Sequence, residues 1–281
     1  MLKVSIIMNC YNGEKYLHEA LTSIISQTYQ QWELIFFDNQ STDNSKTIFE
    51  SFNDPRFHYH YAEEHTKLFK ARNSAMTKAT GDLIAFLDVD DYWVDIKLER
   101  QCNEFYKDKD LSFVFSKYSV VDEFYDKIEV KQKEDLSQKN KEQLITNYQV
   151  GLSTVMFKQN LLKETNFKFD ENYNIIGDFD AFVDLILNVK YLYINKELSY
   201  YRWHSSNLST INQHEELEEL KNWIIKRRKE LSPNVIKHVQ DKIDYMTLIK
   251  MIKSEKFFNC LKSIFFYKNH KKKLKVFTYL V

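Results

Sequence analysis

Three carboxylates crowd four positions in Asp88-Val-Asp90-Asp91, directly after the apolar run Leu83-Ile-Ala-Phe-Leu87. Like charges held side by side raise one another's pKa and cost stability unless a cation joins them. On an extended segment residues two apart share a face, so Asp88 and Asp90 point the same way. Two aligned acids at a strand end suit a hard divalent cation; magnesium is typically held by one or two carboxylates, with phosphates completing the shell. Arg72, in Lys-Ala-Arg-Asn, could supply further positive charge. The plainer reading makes these acids a solvated loop or the cap of the following helix, a role that fits Asp91 best.

The glycines sharpen the choice. There are four, Gly13, Gly81, Gly151 and Gly177, too scattered for a phosphate-cradling P-loop or a GxGxxG turn. If the chain binds a nucleotide, side chains or a metal must neutralise the phosphates. Among other candidate groups, Asp178 and Asp180 open a predicted helix, and His204 is one of eight histidines.

The elements that would position these groups alternate strand and helix. Val4–Met8, Trp32–Phe37, Phe57–Tyr61 and Leu83–Leu87 read as strands. Helices are expected at about Glu14–Gln27, from the Ser41-Thr-Asp43 cap to Phe52, and at Lys70–Ala79, closed by Gly81. The pattern argues for a parallel sheet with helices on both faces. In such sheets ligands gather beyond the carboxyl ends of the strands, here Asn9-Cys10-Tyr11, Asp38-Asn39 and Asp88 to Asp91. A helix is expected from Trp93 to Tyr106, then paired runs Leu111–Phe115 and Tyr118–Val121 as two strands. Lys127–Lys141 reads as a solvated loop, Ser153–Phe157 as a strand and Asp178–Asn188 as an amphipathic helix. Tyr191–Ile194 and Leu198–Tyr201 are two more strands, and everything from about Gln213 is helical, with a helix start at Ser232-Pro233.

Composition is that of a folded protein, 43% apolar and 28% charged, and a formal net charge of zero gives no field for nucleic acid. Cys10, Cys102 and Cys260 are odd in number and form no CxxC pair, which excludes a disulfide framework and fits a reducing compartment. The chain enters a strand-like segment at once, so no secretory leader is expected, and no apolar run is long enough to span a membrane. From Lys253 onward eight lysines and one glutamate interleave with Phe, Leu and Ile. That tail reads either as a basic amphipathic membrane-surface contact or as an ordinary helix packed on the domain.

The segments "VSIIMNCYNGEKYLHEALTSIISQTYQQWELIFFDNQSTDNS", "KARNSAMTKATGDLIAFLDVDDYW" and "YRWHSSNLS" resemble family 2 glycosyltransferases of the GT-A fold, from about Val4 to Ser209. The resemblance implies an α/β catalytic domain over residues 1–210, with a nucleotide-binding half (1–106) and an acceptor-binding half (107–210), and a helical, basic C-terminal extension over 211–281. It implies that Asn9, Tyr11, Asp38 and Asn39 hold the nucleotide base, with Arg72 nearby. Asp88 then contacts ribose, and Asp90 coordinates Mg²⁺ or Mn²⁺. It further implies Asp178 as general base, with Asp180 as the alternative, and Arg202 and His204 in a lid over the diphosphate, the His as a further metal contact. Three positions depart from the family pattern: Asn39-Gln40 replaces Asp-Gly, Gly177 replaces a Glu, and Asp184 replaces an Arg.

The expected activity is metal-dependent, inverting transfer of a sugar from a nucleotide-sugar, expected to be a UDP-sugar, to a glycan or lipid-linked acceptor. The resemblance implies bacterial surface polysaccharide synthesis, with a cytoplasmic location at the inner face of the plasma membrane. The rival readings are a sugar nucleotidyltransferase, which normally carries a Gly-rich N-terminal loop, and an inactive carbohydrate-binding or scaffolding protein.

Overall fold

A computed structural model describes residues 1–128 and 135–253. The basic tail beyond Lys253, and with it the membrane-contact expectation, lies outside the described residues. The strands are β1 (Val4–Cys10), β2 (Trp32–Asp38), β3 (Phe57–Tyr61), β4 (Leu83–Phe86), β5 (Tyr92–Trp93), β6 (Phe113–Val121), β7 (Lys127–Ile128), β8 (Met156–Lys158) and β9 (Tyr191–Arg202). The helices are α1 (Glu14–Ile25), α2 (Ser45–Glu50), α3 (Leu68–Met76), α4 (Lys97–Lys107), α5 (Lys141–Thr146), α6 (Leu161–Glu164), α7 (Gly177–Asn188), α8 (Leu208–Ile211), α9 (Gln213–Arg227) and α10 (Pro233–Lys253).

The strands lie in the order β3-β2-β1-β4-β8-β6-β9-β5, with β7 paired to β6. Both faces of the central strands are buried, so their sequences are continuous apolar runs rather than alternating ones. Ile6, Met8, Leu34 and Phe36 point to one face, where α1 contributes Leu17, Leu21 and Ile24 and α4 contributes Leu98 and Phe105. Ile7, Ile35, Phe37 and Phe86 point to the other, under Phe69 of α3, Phe182 and Ile186 of α7, and Leu220 and Trp223 of α9. The C-terminal helices therefore share a core with the sheet. Gly81 lets β1 close on the turn before β4, because a Cβ there would stand 2.6 Å from the Lys3 carbonyl oxygen.

The sheet is more mixed than the alternation predicted. β3, β2, β1 and β4 run parallel, as do β6 and β9, whereas β8 is antiparallel to both β4 and β6, and β5 to β9. The alternation of strand with crossover helix that enforces parallel pairing stops after β4. The two expected strands at 111–121 are one, β6, and those at 191–201 are one, β9. The interruptions are absorbed as register shifts between Ser116 and Tyr118, not as turns. The helix expected from Trp93 starts at Lys97, because Tyr92 and Trp93 pair with Tyr200 and Ser199 of β9. Within the expected loop at Lys127–Lys141, β7 occupies the first two residues and 129–134 lie outside the described residues.

Connections leave β1 and β4 toward opposite edges of the sheet, β1 to β2 and β4 to β5. In open α/β sheets such a switch opens a crevice at the carboxyl ends of the two strands. Asn9 to Tyr11 and Leu87 to Asp90 stand at that crevice. No helix among the described residues is long and apolar enough to cross a membrane.

Candidate functional site

Asp88 leaves β4 on a turn closed by a hydrogen bond from the Asp91 N–H to its carbonyl (3.1 Å). Its Oδ1 lies 2.9 Å from Nη2 of Arg72, which α3 delivers into the crevice. Burial raises the Asp88 carboxyl to about 6; Arg72 pulls it down while the Asp90 and Asp178 charges push it up. The Arg72 guanidinium is itself buried, against the rings of Phe69 (5.4 Å) and Phe169 (5.5 Å).

Asp90 points to a different partner. Its Oδ2 stands 3.1 Å from Nε2 of His204 and 3.4 Å from Nδ2 of Asn207. The imidazole is oriented from behind: Nδ1 meets the Ser206 hydroxyl at 2.8 Å, and the His204 N–H donates to Asn207 Oδ1 at 2.6 Å. Asp91 turns away into the protein, where the Ser153 hydroxyl and the Arg202 N–H (3.0 Å) donate to it. It is a clasp between the acid turn and β9, not the helix cap its position suggested, since α4 begins only at Lys97.

Arg202 is held within the fold. Its Nε donates to the Asp90 carbonyl at 3.0 Å, its Nη2 pairs with Glu19 of α1, and the side chain is 1% exposed. The rings of Tyr16, Tyr92 and Tyr125 lie 4.8, 5.3 and 4.9 Å from its guanidinium carbon. The bonds to Asp90 and Glu19 brace the acid turn.

Asp178 opens α7, and the Phe179 N–H donates to its carboxylate at 2.7 Å. Burial raises its pKa, and the charge of Arg72 partly opposes that. Arg72 thus acts on both Asp88 and Asp178. Asp180 is engaged elsewhere: Trp223 Nε1 (2.8 Å) and Arg227 Nε (2.9 Å) of α9 both donate to it, and it is 5% exposed. Arg227 also meets Asp184 at 3.0 Å, so α9 brings a cation to the helix position where the family pattern has one. The Phe69 ring occupies the space a side chain at Gly177 would need, its Cδ2 2.6 Å from an added Cβ.

At the β1 and β2 ends the picture is divided. Both amide atoms of Asn9 are buried without a hydrogen-bond partner among the described residues, a cost a ligand would relieve. Tyr11 is 53% exposed, its ring 4.4 Å from that of His65. Asp38 accepts from the Ser41 N–H (2.7 Å) and the Tyr59 hydroxyl (2.6 Å). Asn39 clamps Thr66, donating to its carbonyl at 2.7 Å and accepting from its N–H at 3.1 Å. Gln40 takes the left-handed backbone a glycine would favour (φ 68°) and donates to the Ala62 and Glu63 carbonyls. Asn39 and Gln40 therefore spend their side chains on holding the 62–66 loop, while Asp38 ties its own turn to Tyr59 of β3.

Asn207, Glu19, His65 and Phe69 were not singled out from the sequence. Asn207 and Glu19 sit inside the quoted segments; nothing local marks His65 and Phe69, whose partners are distant in the chain.

Among the described residues no group of three His, Cys, Asp or Glu side chains is gathered for a metal. A cation held mainly by a diphosphate needs fewer. Asp90 and His204 fit as two such ligands: bonds of about 2.1 Å at right angles leave ligand atoms about 3 Å apart, and these two stand 3.1 Å apart.

The family model described as Glycosyl transferase family 2 matches residues 5–178, more than half of the chain. The chain is 38% identical over 120 residues to the putative teichuronic acid biosynthesis glycosyltransferase TuaG of Bacillus subtilis, covering 42% of this chain and 47% of that one. It is 34% identical over 168 residues to the UDP-Glc:alpha-D-GlcNAc-diphosphoundecaprenol beta-1,3-glucosyltransferase WfgD of Escherichia coli, 59% of this chain and 64% of that one. The matched part thus spans about half to two-thirds of those relatives. Among solved structures, S. aureus TarS superposes with a TM-score of 0.67 at 20% identity, over 87% of this chain and 43% of that one. The mannosyltransferase PcManGT of Pyrobaculum calidifontis, in complex with GDP-Man and Mn²⁺, gives 0.66 at 15% identity, over 99% and 85%. Both likenesses are of fold.

Proposed function

This chain belongs to glycosyl transferase family 2 and is a glycosyltransferase of GT-A fold; from that premise we propose that it is a metal-dependent, inverting enzyme that moves a sugar from a UDP-sugar to a lipid-linked or growing surface glycan. The family leaves no room for the nucleotidyltransferase reading.

The observation that carries the proposal is the division of labour around one crevice. Arg72 ties Asp88 down and draws on Asp178, while Asp90 stands with His204. In this reading Asn9 and Tyr11 receive the base, with Asp38 and Asn39 shaping the loop beside it, and Asp88 receives the ribose. Asp90 and His204 would hold Mg²⁺ or Mn²⁺, which when bound offsets the charge gathering on the departing diphosphate. Arg72 adds a fixed positive charge to the same rim.

Asp178 takes the proton of the acceptor hydroxyl as its oxygen attacks the sugar's anomeric carbon. The bond to the diphosphate breaks with its electron pair going to the leaving group. One base and one displacement invert the anomeric centre, and no second carboxylate nucleophile is required. Asp180, held by Trp223 and Arg227, is unsuited to the role.

Support for the donor and acceptor classes comes from relatives. TarS has been solved in complex with UDP-GlcNAc, and WfgD by name uses UDP-Glc and a diphosphoundecaprenol-linked sugar. In this reading the enzyme works at the cytoplasmic face of a bacterial membrane, with residues 1–106 as its nucleotide-binding half and 107–210 as its acceptor-binding half. Calorimetry with UDP and GDP, with Mn²⁺ or with chelator, tests the reading. Tight UDP binding only with metal is expected; equal binding after chelation would count against the metal.

A further inference from the structure

The hydroxyl of Tyr148 is buried and has no hydrogen-bond partner among the described residues. Such a group costs stability that phenylalanine, filling the same space, would not. The ring is fixed against the helix that carries Asp178: it stands edge-on to Phe179, centroids 4.8 Å apart and planes at 82°. Phe179 follows Asp178 in α7 and packs in turn on Trp223 at 4.8 Å. On the other side, the Tyr118 ring lies 3.3 Å from where a Cβ of Gly151 would be, so the residue 148–151 loop is drawn close against β6.

Burial raises the Tyr148 pKa, and the nearby Asp178 and Tyr118 raise it further. The phenol therefore keeps its proton and is a donor, not a base. A donor bonded to the attacking oxygen would blunt it, so its place is on a neighbouring group.

We propose that Tyr148 is an acceptor-binding residue whose hydroxyl donates to a hydroxyl of the acceptor sugar adjacent to the one deprotonated by Asp178. The role rests on the glycosyl-transfer reading above with Asp178 as base. It makes Tyr148 a specificity determinant, because a site built to bond a substrate hydroxyl rejects an analogue lacking it.

The test is Tyr148→Phe in the full chain. UDP release is measured from UDP-Glc, UDP-Gal and UDP-GlcNAc, each with a panel of free hexoses, N-acetylhexosamines and a synthetic α-GlcNAc-diphospholipid. Thermal unfolding and UDP calorimetry are run alongside. Expected are an unfolding midpoint equal to or above wild type, unchanged UDP affinity, and an acceptor KM raised about ten-fold or more. An unchanged acceptor KM overturns the proposal, and so does a lowered midpoint, which would reveal a structural partner for the hydroxyl. Absence of transfer by the wild type to every acceptor would instead sink the functional reading, and this role with it.

Discussion

His204 Nε2 and Asn207 Nδ2 converge on one carboxylate oxygen, Oδ2 of Asp90, at 3.1 and 3.4 Å. Residues 114 and 117 positions away in the chain thus meet the middle of the acid turn, which leaves Asp90 and His204 correctly spaced to share a cation.

Replacing Asp90 by Ala should lower UDP affinity in Mn²⁺ about 100-fold, to the level seen with chelator, and His204→Ala about 10-fold. Calorimetry reads both. Metal-dependent binding that survives Asp90→Ala would move the cation elsewhere.

Asp178→Asn should keep UDP affinity and lower kcat by about 10²–10⁴. The base works ionised, and burial raises the Asp178 carboxyl above the ordinary 3.8. Activity should therefore fall as pH drops, along a limb above that value, and residual activity in the Asn variant should lack the limb. An unaltered pH–rate profile would assign the base to another group.

Gly177 is a packing requirement of Phe69, since an added Cβ meets the ring at 2.6 Å and that ring is 1% exposed. Gly177→Ala should cost roughly 1–3 kcal/mol by overpacking. Adding Phe69→Leu should recover part of the loss, and denaturant unfolding of the single and double variants measures the coupling. Strict additivity would show that the two positions do not touch.

Lys97 is buried on the Trp93 ring, 4.1 Å from Nζ to centroid, and donates to the side-chain Oε1 of Gln101 at 2.6 Å. Burial lowers its pKa from 10.5 to about 7. Between those values the unfolded chain binds more protons at this residue, so its contribution makes the fold more stable as pH rises from about 7 to 10.5. In Lys97→Met that part of the slope should vanish, so the stability difference between variant and wild type shifts against the variant as pH climbs. A difference independent of pH would mean the ammonium stays charged when folded.

Much of this was legible in the chain because the signals are local. Apolar runs ending in Asn9, Asp38 and Asp88 mark strands and their carboxyl ends, but the alternation rule expected to put Asp88 and Asp90 on one face does not hold, because the chain turns there and sends Asp88 to Arg72 and Asp90 to His204. Scattered glycines point away from a phosphate loop. None of this needs knowledge of distant neighbours.

What the tertiary structure decided is which polar groups remain available. Asp178 and Asp180 look alike in sequence, but α9 brings Trp223 and Arg227 onto Asp180 alone. Arg202 takes Glu19, far away in the chain, as its ion-pair partner. Asp38 and Asn39 take Tyr59 and Thr66 as partners, which no local pattern names. A side chain's chemistry is intrinsic, whereas its freedom to use that chemistry depends on partners far away in the chain, and only folding chooses them.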